Sequence, residues 1–156
     1  MIRVQQQAFD VNVEIETLTA GNSKIGGVAS FIGFVRNESQ GKAVTAMTLE
    51  HYPGMTEKKL EEIEAEANRR WPLEGSLIVH RYGKLAPGEA IVLVATASAH
   101  RQAAFESCQF LMDWLKTQAP FWKQEEMGTD KRWVEACDTD NAAAQNWEKN
   151  DPDPTS

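Results

Sequence analysis

Two apolar, β-rich runs at residues 76–82 and 90–97 are joined by a short segment with Pro87 and Gly88 at its centre. Proline presets the backbone for the first corner of a tight turn, and glycine tolerates the positive φ that the second corner requires. Apolar runs joined in this way are typical of antiparallel neighbours in a sheet. A fold for this chain must therefore accommodate hairpin-connected strands.

Other runs extend this pattern. Residues 2–6, 27–36, 44–52 and 131–135 also favour strands. The run 27–36 is β-rich and mostly apolar, so we expect it to be a central strand. The run 44–52 alternates in part, and the loop 37–42 before it has hairpin chemistry, so we expect the two runs to be neighbours.

Two long helices are predicted between the strands. One begins near Thr56, a candidate N-cap, and continues to Trp71, where Pro72 ends it. The other begins at Ser98 or His100, with Ser98 as a candidate cap, and continues to Gln118. Its apolar stripe consists of Ala104, Phe105, Cys108, Leu111, Met112 and Leu115. With a helical turn at 142–149, the fold class is α+β, with a mainly antiparallel sheet and two long helices.

Length and charge narrow the class of protein. A chain of 156 residues suits one domain, which we expect to span residues 1–149, followed by a flexible polar tail at 150–156. The net charge of −7 disfavours a general nucleic-acid binder. No run is long and apolar enough to span a membrane. Cys108 and Cys137 lie in neither a CxxC pair nor a zinc-type cluster, so we expect no metal and a reducing, cytoplasmic setting.

Three basic groups lie next to apolar structure: Arg36 at a strand end, His100–Arg101 at a helix start, and Lys116 with Lys123 on either side of the sequence APFW. Helix N-termini and arginine forks both favour anions. A lysine beside a rigid apolar run loses hydration, which lowers its pKa and suits it to proton transfer. On residue chemistry alone, solvated or snorkelling side chains are the simpler interpretation of all three groups.

Known nucleotide-binding and nucleophile motifs are missing from the chain, which contains no GxGxxG, GxxxxGK[ST] or GxSxG. The residues by themselves therefore indicate a small α+β protein with an anion pocket as its strongest functional candidate.

Several segments extend this interpretation by resemblance. GFVRN (33–37), LEHYPGM (49–55), NRRWP (68–72), HRYG (80–83), SAHR (98–101), FLMDWLKTQAPFWK (110–123) and RWVEA (132–136) occur in this order. Together they resemble the large, catalytic subunit family of molybdopterin synthase, whose fold contains an α/β hammerhead. The resemblance implies that sulfur moves from the C-terminal glycine thiocarboxylate of a small ubiquitin-like subunit to cyclic pyranopterin monophosphate, forming a dithiolene. It also implies a homodimer at the centre of a heterotetramer.

The same resemblance implies roles for particular residues. Lys116 and Lys123 correspond to the family's active-site lysines. Substrate-binding positions correspond to Phe34, Val35, Arg36, His100, Arg101, Gln124 and Glu125. No cofactor and no metal are implied, because the partner brings the sulfur. Cys137 stands where relatives have an arginine, and we do not expect it to relay sulfur.

The length of the second predicted helix separates two of the candidate groups. His100 and Lys116 are sixteen residues apart on one predicted helix, which places their Cα atoms roughly 24 Å apart at 1.5 Å per residue. A compact pocket cannot easily be lined from both ends of such a helix. We therefore expect His100 and Arg101 of one protomer to complete the lysine site of the other.

Two other functions remain compatible with the sequence. A non-catalytic dimeric module that docks a ubiquitin-like protein would not need the lysines. An enzyme acting on another phosphorylated metabolite would turn over without a partner.

Overall fold

The computed structural model describes residues 1–134 and 138–149. In chain order the elements are β1 (Ile2–Gln5), α1 (Val11–Thr19), β2 (Gly27–Phe34), β3 (Glu38–Ser39), β4 (Lys42–Ala43), β5 (Ala46–His51), α2 (Met55–Arg70), β6 (Leu73–Arg81), β7 (Gly83–Leu85), β8 (Ala90–Ser98), α3 (Arg101–Gln118), β9 (Phe121–Met127), β10 (Asp130–Val134) and α4 (Asp138–Lys149). The expected α+β class is confirmed. The expectations for Cys137 and for a tail at 150–156 lie outside the described residues.

Two four-stranded sheets organise the fold, one with the order β1-β6-β8-β2 and the other with the order β10-β9-β5-β7. Only the β1–β6 pair is parallel among the strand pairs of the described residues. As predicted, β6 and β8 are antiparallel neighbours, and the turn between them has Gly88 at φ +89° with a hydrogen bond from Glu89 N–H to the Ala86 carbonyl.

The first sheet is covered on both faces. One face carries Ile78 and Val94, which belong to the main core with α2 and α3. The other carries Leu77, Val79, Leu93 and Ala95, which pack against partly buried apolar residues of α1. Burial on both faces explains why β6 and β8 are almost continuously apolar rather than alternating.

The strand neighbours predicted for residues 27–36 and 44–52 were wrong. β2 pairs with β8 and lies at an edge of its sheet, whereas β5 lies in the other sheet between β9 and β7. Residues 38–43 close on themselves as the two-stranded β3–β4 hairpin, and the chain then continues into the second sheet. β2 is apolar although it lies at an edge, because Ala29 belongs to the main core, Val28 and Ile32 pack against the cluster that faces α1, and Phe31 and Phe34 are exposed.

Local details of the helices also differ from expectation. Gly54, not Thr56, is the N-cap of α2, and the Thr56 hydroxyl donates to the Tyr52 carbonyl inside the first turn. Ser98 ends β8 and donates to the Pro72 carbonyl instead of capping α3. Phe105 is 65% exposed, and the fully buried aromatic residue of α3 is Phe110. α1 and β9 were not predicted, and none of the described helices is long and apolar enough to cross a membrane.

Candidate active site

Lys116 and Lys123 lie close to each other because the chain reverses between them. Lys116 occupies the last turn of α3, which ends at Gln118, and Lys123 is the third residue of β9. Ala119 N–H closes the helix on the Leu115 carbonyl, and Phe121 N–H donates to the Ala119 carbonyl, which makes the turn tight. The two ammonium groups interact electrostatically, since the charge of Lys116 lowers the pKa of Lys123.

Lys123 is partly buried in β9. Burial, and after it the charge of Lys116, lowers the pKa of Lys123 to about 8, while Asp140 and Glu125 act in the opposite direction. In the sheet, Lys123 lies between Leu49 of β5 and Val134 of β10. An amine with this pKa can both donate and accept a proton near neutral pH.

Aromatic rings pack around the segment that joins the two lysines. The His80 ring stacks on Phe121 with centroids 3.7 Å apart and planes 15° apart, and His51 lies 6.1 Å from Phe121 on centroids and 4.5 Å from Tyr82. Because Phe121 opens β9, this stack fixes the segment that joins Lys116 to Lys123. Sequence reasoning assigned no role to His51 or His80, although both occur in the segments LEHYPGM and HRYG.

The protonation state and the tautomer of His80 follow from its contacts. Its Nδ1–H donates to the Arg81 carbonyl at 2.8 Å, so Nε2 of the neutral ring carries the lone pair. Burial lowers the pKa of His80 to about 3, and the charges of Lys123, His51 and Lys116 contribute to the same effect. The ring is therefore uncharged at neutral pH and adds no third cation beneath the lysine pair.

Strand alternation separates the two residues that follow Lys123. Lys123 and Glu125 lie on one face of β9, and Gln124 lies on the opposite face with exposed Trp122. Glu125 is 4% exposed, accepts a hydrogen bond from Ser39 Oγ at 3.2 Å, and lies 3.6 Å from Arg132. The structure thus brings Glu125, but not Gln124, together with the lysines.

The candidate residues at the end of β2 and directly after it differ in their exposure to solvent. Phe34 and Arg36 are exposed, whereas Val35 is only 2% exposed. Val35 N–H donates to the Glu89 carbonyl, and the Val35 carbonyl accepts from Gly88 N–H. Val35 is therefore a buried anchor to the β7–β8 connection, and Phe34 and Arg36 project on either side of it.

His100 and Arg101 lie at the other end of α3 from Lys116. Both are exposed, the N-cap His100 makes no side-chain cap, and the first turn of α3 contains no acidic residue. The backbone N–H groups of this turn are thus open to an anion. A cleft of about 280 Å³ at this end is lined by Arg70, Trp71, His100, Gln102, Ala103 and Glu106.

A larger cleft of about 560 Å³ adjoins the lysine end of α3. It lies between the last turn of α3 and α4, and it is lined by Thr117, Gln118, Asn141, Ala142, Ala144, Gln145 and Glu148. It contains neither lysine, so its size does not by itself identify the active site. Among the described residues, no group of three or more His, Cys, Asp and Glu side chains is placed to bind a metal ion.

The fold and the two lysines define a class of protein: an α+β protein with two amines that interact electrostatically, one of which has its pKa lowered to about 8. Comparison with known proteins gives the family, because residues 4–118 match the model for "MoaE protein". The chain belongs to the MoaE family.

Similar proteins cover nearly the whole chain. A Pseudomonas aeruginosa protein named molybdopterin synthase catalytic subunit is 57% identical over 148 residues, which is 95% of this chain and 99% of the relative. A MoaE structure from Burkholderia ambifaria is 54% identical with a TM-score of 0.82, covering 95% of this chain and 97% of that one. Molybdopterin synthase from Staphylococcus aureus is 30% identical with a TM-score of 0.79, covering 85% and 95%.

Proposed function

We propose that this chain is the catalytic subunit of molybdopterin synthase. It transfers sulfur from the C-terminal thiocarboxylate of a small ubiquitin-like subunit to cyclic pyranopterin monophosphate, and two transfers form the dithiolene of molybdopterin. The observation that carries the proposal is the Lys116–Lys123 pair, with the pKa of Lys123 lowered to about 8 by burial and by Lys116. Membership in the MoaE family supplies the reaction class.

The lysines have separate tasks in this reaction. When the thiocarboxylate sulfur bonds to a pterin carbon, a carbon–oxygen bond at that carbon breaks, and the oxygen keeps the electron pair and leaves as water or stays on the phosphate. The partner's tail becomes the acyl group of a thioester. Water must then add to the acyl carbon, and the carbon–sulfur bond breaks to release a carboxylate and a pterin thiol. The neutral amine of Lys123 can take the proton of the water, and the ammonium of exposed Lys116 can stabilise the tetrahedral oxyanion. The protein therefore needs no cofactor of its own.

Binding of the substrate's phosphate is assigned to the cationic groups other than the lysines. Arg36 supplies a forked donor, and His100 with Arg101 adds side-chain donors to the open N-terminus of α3. Without a ligand, an arginine at a helix N-terminus is mildly unfavourable, because its charge is repelled by the positive end of the helix dipole. A bound anion offsets this repulsion.

Dimerisation would bring His100 and Arg101 close to the two lysines. α3 is one continuous helix of 18 residues, so a single chain separates Arg101 from Lys116 by roughly 22 Å along the helix axis. Exposed Phe31 and Phe34 on the edge strand β2, together with exposed Phe105 of α3, support a contact with a second copy. We propose that each active site combines His100 and Arg101 of one protomer with the lysines of the other.

Mixed dimers test this composite site. One chain carries Arg101→Ala and the other carries Lys116→Ala, so one of the two sites in each mixed dimer would contain both intact groups. About half of the wild-type activity per dimer is expected. If the mixed dimers are as inactive as the two parent homodimers, the composite arrangement is wrong.

The reaction itself is tested with purified components. Wild-type chain, thiocarboxylated partner and cyclic pyranopterin monophosphate are mixed, and molybdopterin is measured in a single turnover. Lys123→Met should abolish product, while Lys58→Met, which removes an exposed lysine of α2, should not. Product from Lys123→Met at the wild-type rate would support a docking module instead. Turnover without the partner would support an enzyme acting on another phosphorylated metabolite.

A cytoplasmic location is part of the proposal. It is supported by the free, buried thiol of Cys108, which suits a reducing compartment.

A further inference from the structure

The β3–β4 hairpin (residues 38–43) contains an unusual turn. Gln40 has φ +50° and Gly41 has φ +76°, the combination that a two-residue type I′ turn requires. Gln40 is the only non-glycine residue with positive φ in the described part of the chain. A long side chain at such a position is mildly strained and needs a compensating contact.

Arg132 supplies that contact. Its Nη1–H donates to Gln40 Oε1 at 2.6 Å, and its Nη2–H donates to Ser39 Oγ at 2.9 Å. The same Nη2 lies 3.6 Å from Glu125 Oε1, which also accepts from Ser39 Oγ at 3.2 Å. One guanidinium fork thus connects the tip of the hairpin to a buried carboxylate more than 80 residues away in the chain. We call this set of contacts the Arg132 latch.

The latch lies beside the active site. Arg132 and Glu125 are opposite each other in the β9–β10 pair, and Glu125 is on the same face of β9 as Lys123. The hairpin begins directly after Arg36 and Asn37, and its base is closed by Val44 N–H donating to the Asn37 carbonyl at 2.8 Å. The latch therefore ties the segment that carries Arg36 to the strand that carries Lys123.

We propose that Arg132 is a positioning residue, which holds the β3–β4 hairpin against β9 and so fixes Arg36 relative to Lys123 for binding of the phosphorylated pterin. This inference rests on the proposed function. Arginine suits the task because its planar fork reaches two acceptors at once, which a lysine ammonium on a flexible stem does not. The competing explanation is that Arg132 only neutralises the buried Glu125.

Kinetics separate the two explanations. Arg132→Lys keeps the charge next to Glu125 but loses the fork. It should raise KM for the cyclic pterin about tenfold or more, with the single-turnover rate at saturating pterin within about twofold of wild type. Lys131→Ala is the matched control, because it removes a neighbouring charge of β10 opposite Glu126 without touching the hairpin. A wild-type KM in Arg132→Lys would overturn the proposal.

A double variant addresses the buried charge. Arg132→Ala leaves Glu125 without its cation, so Tm should fall, and adding Glu125→Gln should restore Tm because the uncompensated charge is removed. Hydrogen exchange of residues 38–43 should stay fast in the double variant, since the hairpin remains untied. Exchange that recovers together with Tm would show that charge neutralisation is the only role of Arg132.

Hydrogen exchange gives a readout that does not depend on activity. The amides of residues 38–43 should exchange at least about tenfold faster in Arg132→Ala than in wild type or Lys131→Ala. Unchanged exchange would refute the latch. A wild-type protein without any pterin turnover would instead refute the proposed function, and hydrogen exchange would still decide whether Arg132 holds the hairpin.

Discussion

Lys123 should titrate about two and a half pH units below an ordinary lysine. Its pKa is lowered from 10.5 to about 8, first by burial and then by the charge of Lys116. At pH 7 an amine with a pKa of about 8 is about 9% neutral, compared with about 0.03% for a pKa of 10.5. The fold thus raises the population of the proton-accepting form roughly 300-fold.

Competitive amine labelling measures this shift directly. A trace of acetic anhydride reacts only with neutral amines, and mass spectrometry of the peptides gives the extent of labelling at Lys123 as a function of pH. The midpoint is expected near pH 8. Exposed Lys58 of α2 provides an internal reference in the same samples.

A second variant separates the two causes of the shift. Lys116→Met removes the positive neighbour but leaves burial in place, so the midpoint of Lys123 should move to higher pH without reaching the ordinary lysine value of 10.5. A midpoint of wild-type Lys123 near the ordinary lysine value of 10.5 would refute the effect of burial. A midpoint that Lys116→Met leaves unchanged would refute the proximity of the two charges.

Three further expectations concern stability and the face of β9. The pKa of His80 is about 3 in the folded protein against 6.5 ordinarily, so the free energy of unfolding should decrease as pH falls below 6.5, by at most about 1.4 kcal/mol per pH unit. Urea unfolding of His80→Phe should lack this decrease. If the free energies of unfolding of the two proteins depend on pH in the same way, the expectation is contradicted. Phe110→Ala should lower the free energy of unfolding by about 3–5 kcal/mol because the side chain is fully buried, whereas urea titration of Met55→Ala, a control at a 63% exposed position of α2, should show far less loss. Glu125→Ala should lower molybdopterin formation more than Gln124→Ala, since only Glu125 shares a face with Lys123; the opposite order in a single-turnover assay would mean that the strand face is not what matters.

The sequence predicted those elements whose signals are local. The Pro87–Gly88 turn, the strands on either side of it and the long helix before Pro120 all follow from turn chemistry and periodicity, and the structure contains them. The lowered pKa of Lys123 was only one of two interpretations, since the residues alone made a snorkelling side chain the simpler one, and tertiary burial decides between them.

Local sequence signals did not predict which strands pair with each other. β2 finds its partner in β8, about sixty residues further along the chain, and an edge strand with exposed phenylalanines has the same composition as a central one. α1 was missed because it has no fully buried residue and packs only a partly buried stripe onto the sheet. These choices depend on tertiary packing, which outweighs local propensity.

The sequence did not predict the place of His80 in the active site, and the cause is again tertiary packing. His80 is remote in sequence from both lysines and reaches them only because β6 and β9 bring its ring onto Phe121. Had His80 been charged, it would oppose the ammonium of Lys116 and the protonated form of Lys123, so a neutral, buried imidazole is what this position requires. The Nδ1–H contact with the Arg81 carbonyl fixes the neutral tautomer, and the stack fixes the turn between the lysines. The two lysines are therefore best regarded as one unit with this ring, because the stack holds the segment that joins them.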